Sequence, residues 1–404
     1  MKTIIVAMSD FLLLSVRKFL LVASLTTVAS TAIFATAAST DVAAAGLKRT
    51  AAEGKKLGFV VTYFYYAMEQ GETACPKGVW PITSTKEFLA TKPPAEQQRL
   101  LQAENRKELF RRMIERGPNG ENVCAEPLSA PDPQMYTLAG DRNDGLDLDG
   151  KTKDSAITDY TCPHKQYTDS QGRKGIDNQL GRVLACVNGL REKGTLVPYF
   201  TQAMRNGMWS MLIEISDVDN VKNDSSVRVD IYAGNENMVK NPSGEVMAGA
   251  SLSPKIDPHL HRQFAGRIVN GVLETDVIAD LFVPDIMTNR RPAFKIERPR
   301  LELKLLEDGT ATGFLGGYIS QNQYIAPSSA DAEGELFTGL DCHAMYYAVH
   351  TYADGDRDPV TGKCSTLSTA FRIEAVPAFI VRPDLTPIPT FSQRAKTLES
   401  AAAQ

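Results

Sequence analysis

Apolar and polar positions alternate most regularly in the middle of the chain. Leu301, Leu303 and Leu305 are separated by charged Glu302 and Lys304, and Asp308-Gly309 follows as a turn. Period-two alternation ending in a residue pair suited to positive φ predicts a β-hairpin over residues 300–320. Similar short runs precede it: WSMLIEIS at 209–216, VRVDIYAG at 227–234 and GRIVNGVLETDVIADLFVP at 266–284, each bounded by Asp, Asn and Gly. The strands are short and not interleaved with helices. That pattern predicts an antiparallel β-sandwich over residues 207–325, within a mainly β protein that carries α segments.

The flanking regions read differently. Residues 57–68, LGFVVTYFYYAM, are β-branched and aromatic throughout, and periodicity does not decide between strand and helix. Residues 95–116 place Leu100, Leu101, Leu109, Phe110, Met113 and Ile114 among charged positions and stop at Gly117-Pro118, which predicts one amphipathic helix in an N-terminal helical segment, 46–127. Residues 128–206 are dominated by Asp, Gly, Asn and Pro and read as a disulfide-closed loop region. A small C-terminal unit, 335–383, reads as two short helices around an acidic loop, and 384–404 as a frayed tail.

The first residues set the compartment. Arg17-Lys18 precede an uncharged run, 19–38, that contains the small-residue triplet Ala35-Thr36-Ala37. This is the pattern of a secretory signal over 1–37; the run is rich in Ala, Ser and Thr rather than Leu and Ile, so no membrane span is expected after cleavage. Loss of Lys2, Arg17, Lys18 and Asp10 moves the net charge from −4 to −6. An acidic exported chain with no basic run of five or more is a poor nucleic-acid binder, and the Asn289-Arg290-Arg291-Pro292 cluster reads as a polar loop.

All six cysteines, Cys75, Cys124, Cys162, Cys186, Cys342 and Cys364, lie beyond the signal, and an even count in an oxidising compartment predicts disulfides. Their grouping suggests pairing between neighbours: Cys75 with Cys124, Cys162 with Cys186, Cys342 with Cys364.

Candidate chemistry is sparse. Asp257, His259 and His261 alternate, so an extended backbone would turn all three toward one transition metal; a fourth ligand such as His164 would have to come from elsewhere. Asp354, Asp356 and Asp358 match the first ligand positions of an EF-hand loop, but Pro359 stands where Gly is required, leaving a simpler calcium turn. Asp141, Asn143, Asp144, Asp147 and Asp149 form a second oxygen-rich cluster with calcium as candidate ion. His343 and His350 are about 10.5 Å apart along a helix axis and do not share a metal; with Tyr346 or Tyr347 between them on one face they read as a half-buried polar seam, a haem-facing role being the alternative. No nucleophile elbow, P-loop or dinucleotide fingerprint occurs, and Gly313, Gly316 and Gly317 fall inside a strand pattern, where they mark close packing or a bulge. The reading that follows is an exported non-catalytic binding or envelope-structural protein, ordered by calcium, with an extracellular or envelope ligand. The alternatives are a metal-dependent hydrolase using Asp257, His259 and His261, and a periplasmic redox or haem-binding helper.

Overall fold

The alternation of residues 367–375 decides the architecture. Leu367, Thr369, Phe371, Ile373 and Ala375 are buried on one side of a seventeen-residue strand, with Thr366, Ser368, Ala370, Arg372 and Glu374 on the other. The computed structural model describes residues 55–80, 85–151, 159–191, 193–194, 196–206, 209–255, 257–277, 280–283, 294–323 and 341–382. The signal-like segment 1–37, the basic cluster 289–292 and the tail 384–404 lie outside them.

In chain order the strands are β1 Lys55–Tyr66, β2 Tyr167–Thr168, β3 Lys174–Ile176, β4 Met211–Val218, β5 Asp224–Ala233, β6 Ala250–Leu252, β7 His261–Val269, β8 Val272–Thr275, β9 Leu281–Val283, β10 Phe294–Leu305, β11 Ala311–Ser320, β12 Gly355–Arg357 and β13 Cys364–Ile380. The α-helices are α1 Thr85–Ala90, α2 Pro94–Leu100, α3 Arg106–Ile114, α4 Gln179–Leu184, α5 Leu196–Arg205 and α6 Cys342–Thr351. Strands β1, β4, β5, β7, β8, β10, β11 and β13 pair antiparallel in that order, and β13 pairs back onto β1. The result is a closed eight-stranded antiparallel barrel, with β6, β9 and β12 as extra strands on its wall.

The expected sandwich is therefore overturned. Its central strands are present, but β1 and β13, which come from outside residues 207–325, join the two edges, so one sheet curls on itself instead of two sheets stacking. Strand β13 was expected as helix, yet its β-branched and aromatic residues suit a pleated wall better than a helix. Only α6 of the two expected C-terminal helices is helical in the described residues.

Register shows where the core sits. Cross-strand partners Phe59–Ile213–Ile231, Ile268–Leu273–Leu303 and Leu301–Leu315–Phe371–Tyr66 run around the wall on one face and belong to one buried cluster. Phe371 stacks on Phe64 at 4.6 Å between ring centres. The inward side chains of this buried cluster occupy the barrel interior. The opposite face carries Glu214–Asp230–Gln263 and Arg267–Glu274–Glu302 as cross-strand partners. A barrel apolar inside and charged outside is the reverse of the lipid-facing arrangement of a membrane barrel. Among the described residues no helix is long and apolar enough to cross a membrane.

The hairpin β10–β11 forms as expected, with Gly309 alone of its turn pair at positive φ. A Cβ on Gly313 would lie 1.9 Å from the Glu302 carbonyl oxygen, which gives the close packing expected of that glycine. The expected helix 95–116 is instead α2 and α3 separated by a 3-10 turn: Leu101 points to solvent, and the Asn105 amide donates to the Arg99 carbonyl at the end of α2 (2.7 Å).

All six cysteines are paired, but not as neighbours. The bonds are Cys75–Cys186, Cys124–Cys342 and Cys162–Cys364, spanning 111, 218 and 202 residues. Barrel closure brings distant parts of the chain together, and this framework fits an oxidising compartment. The third bond fastens the loop region to the first residue of β13.

Candidate functional site

The Asp/Gly-rich stretch forms a layer on the outside of the barrel. Leu146 and Leu148 pack on Phe314, Tyr318 and Ala370, the outward residues of β11 and β13. Between this layer and the wall lies a buried polar cluster. Asp177, which follows β3 directly, is fully buried; its Oδ2 accepts the backbone N–H groups of Leu148 (2.7 Å) and Asp149 (3.0 Å), and its Oδ1 faces His164 Nε2 at 2.8 Å. His164 stands two residues after the disulfide-held Cys162, whose carbonyl accepts from Nδ1 (2.7 Å). Asp354, between α6 and β12, reaches the same ring from the other side, with Oδ2 3.9 Å from Nδ1. Its Oδ1 accepts the Ser368 N–H of β13 (2.6 Å).

Both His164 ring nitrogens face acceptors, so both carry hydrogen and the ring is an imidazolium. Burial opposes that charge, but the Asp177 hydrogen bond, the Asp354 carboxylate and the Cys162 carbonyl outweigh it and raise the pKa to about 9. Burial pushes Asp354 up to about 7 against the pull of His164 and Ser368. Asp149 is likewise raised by burial and by Asp177. One ligand atom from each of Asp149, His164 and Asp177 falls within 4.8 Å of the others, the one such group of three among the described residues. Three buried oxygens around it have no hydrogen-bond partner among the described residues: Asp149 Oδ2, Asp354 Oδ2 and the Tyr318 hydroxyl.

The site is closed. The His164 side chain is 4% exposed and Asp177 0%, so neither reaches a substrate proton as a general base must. Chemically the cluster suits a held cation or a proton network rather than turnover.

A second feature opens to solvent beside it. A groove of about 420 Å³ lies between the outer layer and the wall, lined by Asp147, Arg173, Lys174, Ile176, Arg267, Glu274, Thr275, Asp276, Arg300 and Glu302 among others. Arg173 is paired with Asp169 and Glu302, and Arg267 with Glu274. Arg300 donates to the Asp147 carbonyl (2.6 Å) and forms no ion pair among the described residues. Strand β10 pairs with β9 over 294–296 and with β8 over 302–304, so between those pairings no described strand pairs with that side of it. A bulge falls there, with Arg298 at φ 48°.

The residues singled out by sequence are dispersed in part. Asp257 accepts the His259 N–H and caps a single 3-10 turn, His259 is exposed, and His261 faces Asp230 at 2.8 Å while stacking on Tyr232. Asp257 and His261 thus have separate partners, and the three side chains do not converge on one point. Asp356 accepts from the Ser365 hydroxyl and Asp358 from the Val360 and Thr361 N–H groups, whereas Asp354 turns inward to His164. Asp141 pairs with Lys165, Asn143 bridges Glu69 and Asn178, Asp144 accepts from Ser170, and Asp147 accepts from Gly150. Only Asp149 of that group joins the His164 cluster. His343 donates toward the Ala130 carbonyl in a buried setting, and exposed His350 bonds the Tyr346 carbonyl of its own helix. Asp177 carried no sequence signal beyond lying in an Asp-rich stretch near Cys162 and His164.

Comparison with protein-family models, with curated proteins and with solved structures returns no match.

Proposed function

We propose that the chain is an exported, non-catalytic binding protein that holds a polar peptide segment of mixed charge in the groove beside β8 and β10. The observation that carries this reading is the groove's lining: Lys174 and Arg300 stand against Asp147 and Asp276, while Arg173 and Arg267 are already neutralised by Glu302 and Glu274. Balanced charge favours a ligand bearing both signs over a polyanion or an apolar molecule. The side of β10 left without a described strand partner supports an extended peptide, whose main chain offers hydrogen bonds to a neighbouring strand. Export rests on the signal-like pattern of residues 1–37 together with the three disulfides.

Affinity selection of random octapeptides on the full chain, followed by calorimetry of the selected peptide, tests the reading. Arg300→Ala and Lys174→Ala are each expected to weaken binding about tenfold, in line with the loss of one charge-assisted hydrogen bond. The reading fails if no peptide binds more tightly than about 1 mM, or if the selected peptide binds both variants as tightly as the parent.

A further inference from the structure

A cluster of carboxylates is common on protein surfaces, but this one contains the buried Asp177 and the 4%-exposed His164 imidazole and lies beside oxygens that have no hydrogen-bond partner among the described residues. We propose that Asp149, His164 and Asp177 form a divalent-metal site, and that zinc is the ion it takes. The inference is independent of the groove reading.

Distance is the first support. Zinc bonds of about 2.0–2.2 Å in a tetrahedron place ligand atoms roughly 3.3–3.6 Å apart. His164 Nε2 and Asp177 Oδ1 are now 2.8 Å apart, and the three ligand atoms all lie within 4.8 Å of one another, so small side-chain adjustments suffice. The ion takes the place of the proton now lying between Nε2 and Asp177, and that proton leaves to solvent.

Orientation is the second. A metal-bound histidine almost always donates its other ring N–H to a carbonyl or carboxylate, which fixes the tautomer and aims the lone pair. Here Nδ1–H is committed to the Cys162 carbonyl, with Asp354 Oδ2 beyond it, leaving Nε2 as the metal-facing atom. Asp177 is held in the same way: two backbone N–H groups occupy Oδ2 and leave Oδ1 directed into the cluster.

The third support points to a ligand independently of the acidic cluster. The hydroxyl of Tyr318, 1% exposed, has no hydrogen-bond partner among the described residues and lies close enough to feel the charges of Asp177 and Asp149. Buried oxygens of this kind normally face a partner. Calcium is a poorer fit, since it requires six to eight oxygens and this site supplies an imidazole and few carboxylates. Three protein ligands leave the fourth tetrahedral position to a water or a neighbouring oxygen. The site would pin residues 148–149 to Asp177 at the back of the layer that forms one side of the groove.

The test uses the full chain, freed of metal by a chelator under native conditions and titrated with zinc alone against a chromophoric competitor, with elemental analysis of the product. One zinc per chain is expected. Asp149→Asn, chosen because Asp149 Oδ2 has no hydrogen-bond partner among the described residues, is expected to weaken zinc by more than the roughly 10- to 100-fold cost of losing an outer-shell group, with an unchanged far-UV spectrum. His259→Ala with His261→Ala is expected to leave zinc binding intact. Cobalt(II) added to the parent chain should give the strong visible bands of a low-coordinate site, a readout that does not depend on any variant folding. No zinc uptake by the parent, equal uptake by folded Asp149→Asn, loss of zinc in the double histidine variant, or weak octahedral cobalt bands would each overturn the proposal.

Discussion

At the residue scale, two aspartates show what the sequence can and cannot reveal. Asp257 is conspicuous because His259 and His261 follow at strand spacing, yet its side chain spends itself on a local N–H and is partly exposed. Asp177 is inconspicuous in sequence but bonds two backbone N–H groups and faces a buried imidazolium. Removing one partner of a buried charge pair leaves the other uncompensated, at a cost of about 3–5 kcal/mol. Asp177→Ala should therefore lower unfolding free energy by about that amount in urea titrations, whereas Asp257→Ala should cost only the roughly 1 kcal/mol of a lost cap. Equal losses for the two would show that the His164 cluster does not hold the outer layer. Spacing along the chain finds ligands only when one element supplies them. Here Asp149, His164, Asp177 and Asp354 come from four separate places, two of which the sequence had marked for calcium.

Elements were legible where a single period ran undisturbed and both ends carried turn chemistry. The β10–β11 hairpin satisfies both conditions and forms where expected. Strand β13 satisfies only the first, and its Ser, Thr and Ala content hid a strand of seventeen residues behind a helical reading. The expected single helix at 95–116 had the right apolar positions, since Leu100, Leu109 and Met113 are buried together, but tertiary packing broke it at Leu101. What ties α2 to α3 across that break is charge: Arg99 grips Glu108 with two bonds of 2.8 Å, and Arg112 reaches both Glu108 and Glu96. The Arg99 hydrogen bond holds the Glu108 carboxyl down at about 2, below its ordinary 4.5. A depressed carboxylate stabilises the folded state above its unfolded pKa, and that contribution is lost as pH falls through the folded value. The melting-temperature difference between the parent and Glu108→Gln should hence be largest above pH 4.5, shrink on acidification and be lost as pH falls through about 2. It should also shrink in high salt, because the pairs are solvent-accessible. A difference that persists unchanged down to pH 2 would assign the effect of the variant to packing instead.

For the whole molecule, closure is the property that sequence reading missed, and the disulfides show why. Neighbour pairing is a sound guess when cysteines bracket local units, but a barrel in which β1 bonds β13 makes neighbours of segments about three hundred residues apart in sequence. Each observed bond accordingly ties a part to a remote one, and Cys162–Cys364 alone fastens the outer layer to β13 at the His164 cluster. Long closed loops of this kind contribute most by restricting the unfolded chain, and losing one typically costs about 2–5 kcal/mol. The barrel wall has its own continuous hydrogen-bonded ring and apolar interior, so the loss should not spread evenly. In Cys162→Ala with Cys364→Ala, global stability is expected to fall within that range. Backbone amides of the outer layer, the Asp177 N–H among them, should exchange much faster in native-state hydrogen exchange, while those of β1 and the middle of β13 should speed up only as far as the reduced global stability dictates. Uniform acceleration through barrel and layer together would mean that the two unfold as one unit and that the third disulfide acts on the whole fold. Acceleration in the layer beyond that set by the fall in global stability would identify Cys162–Cys364 as the fastening that holds the candidate metal site against the barrel, because only that layer would then open ahead of global unfolding.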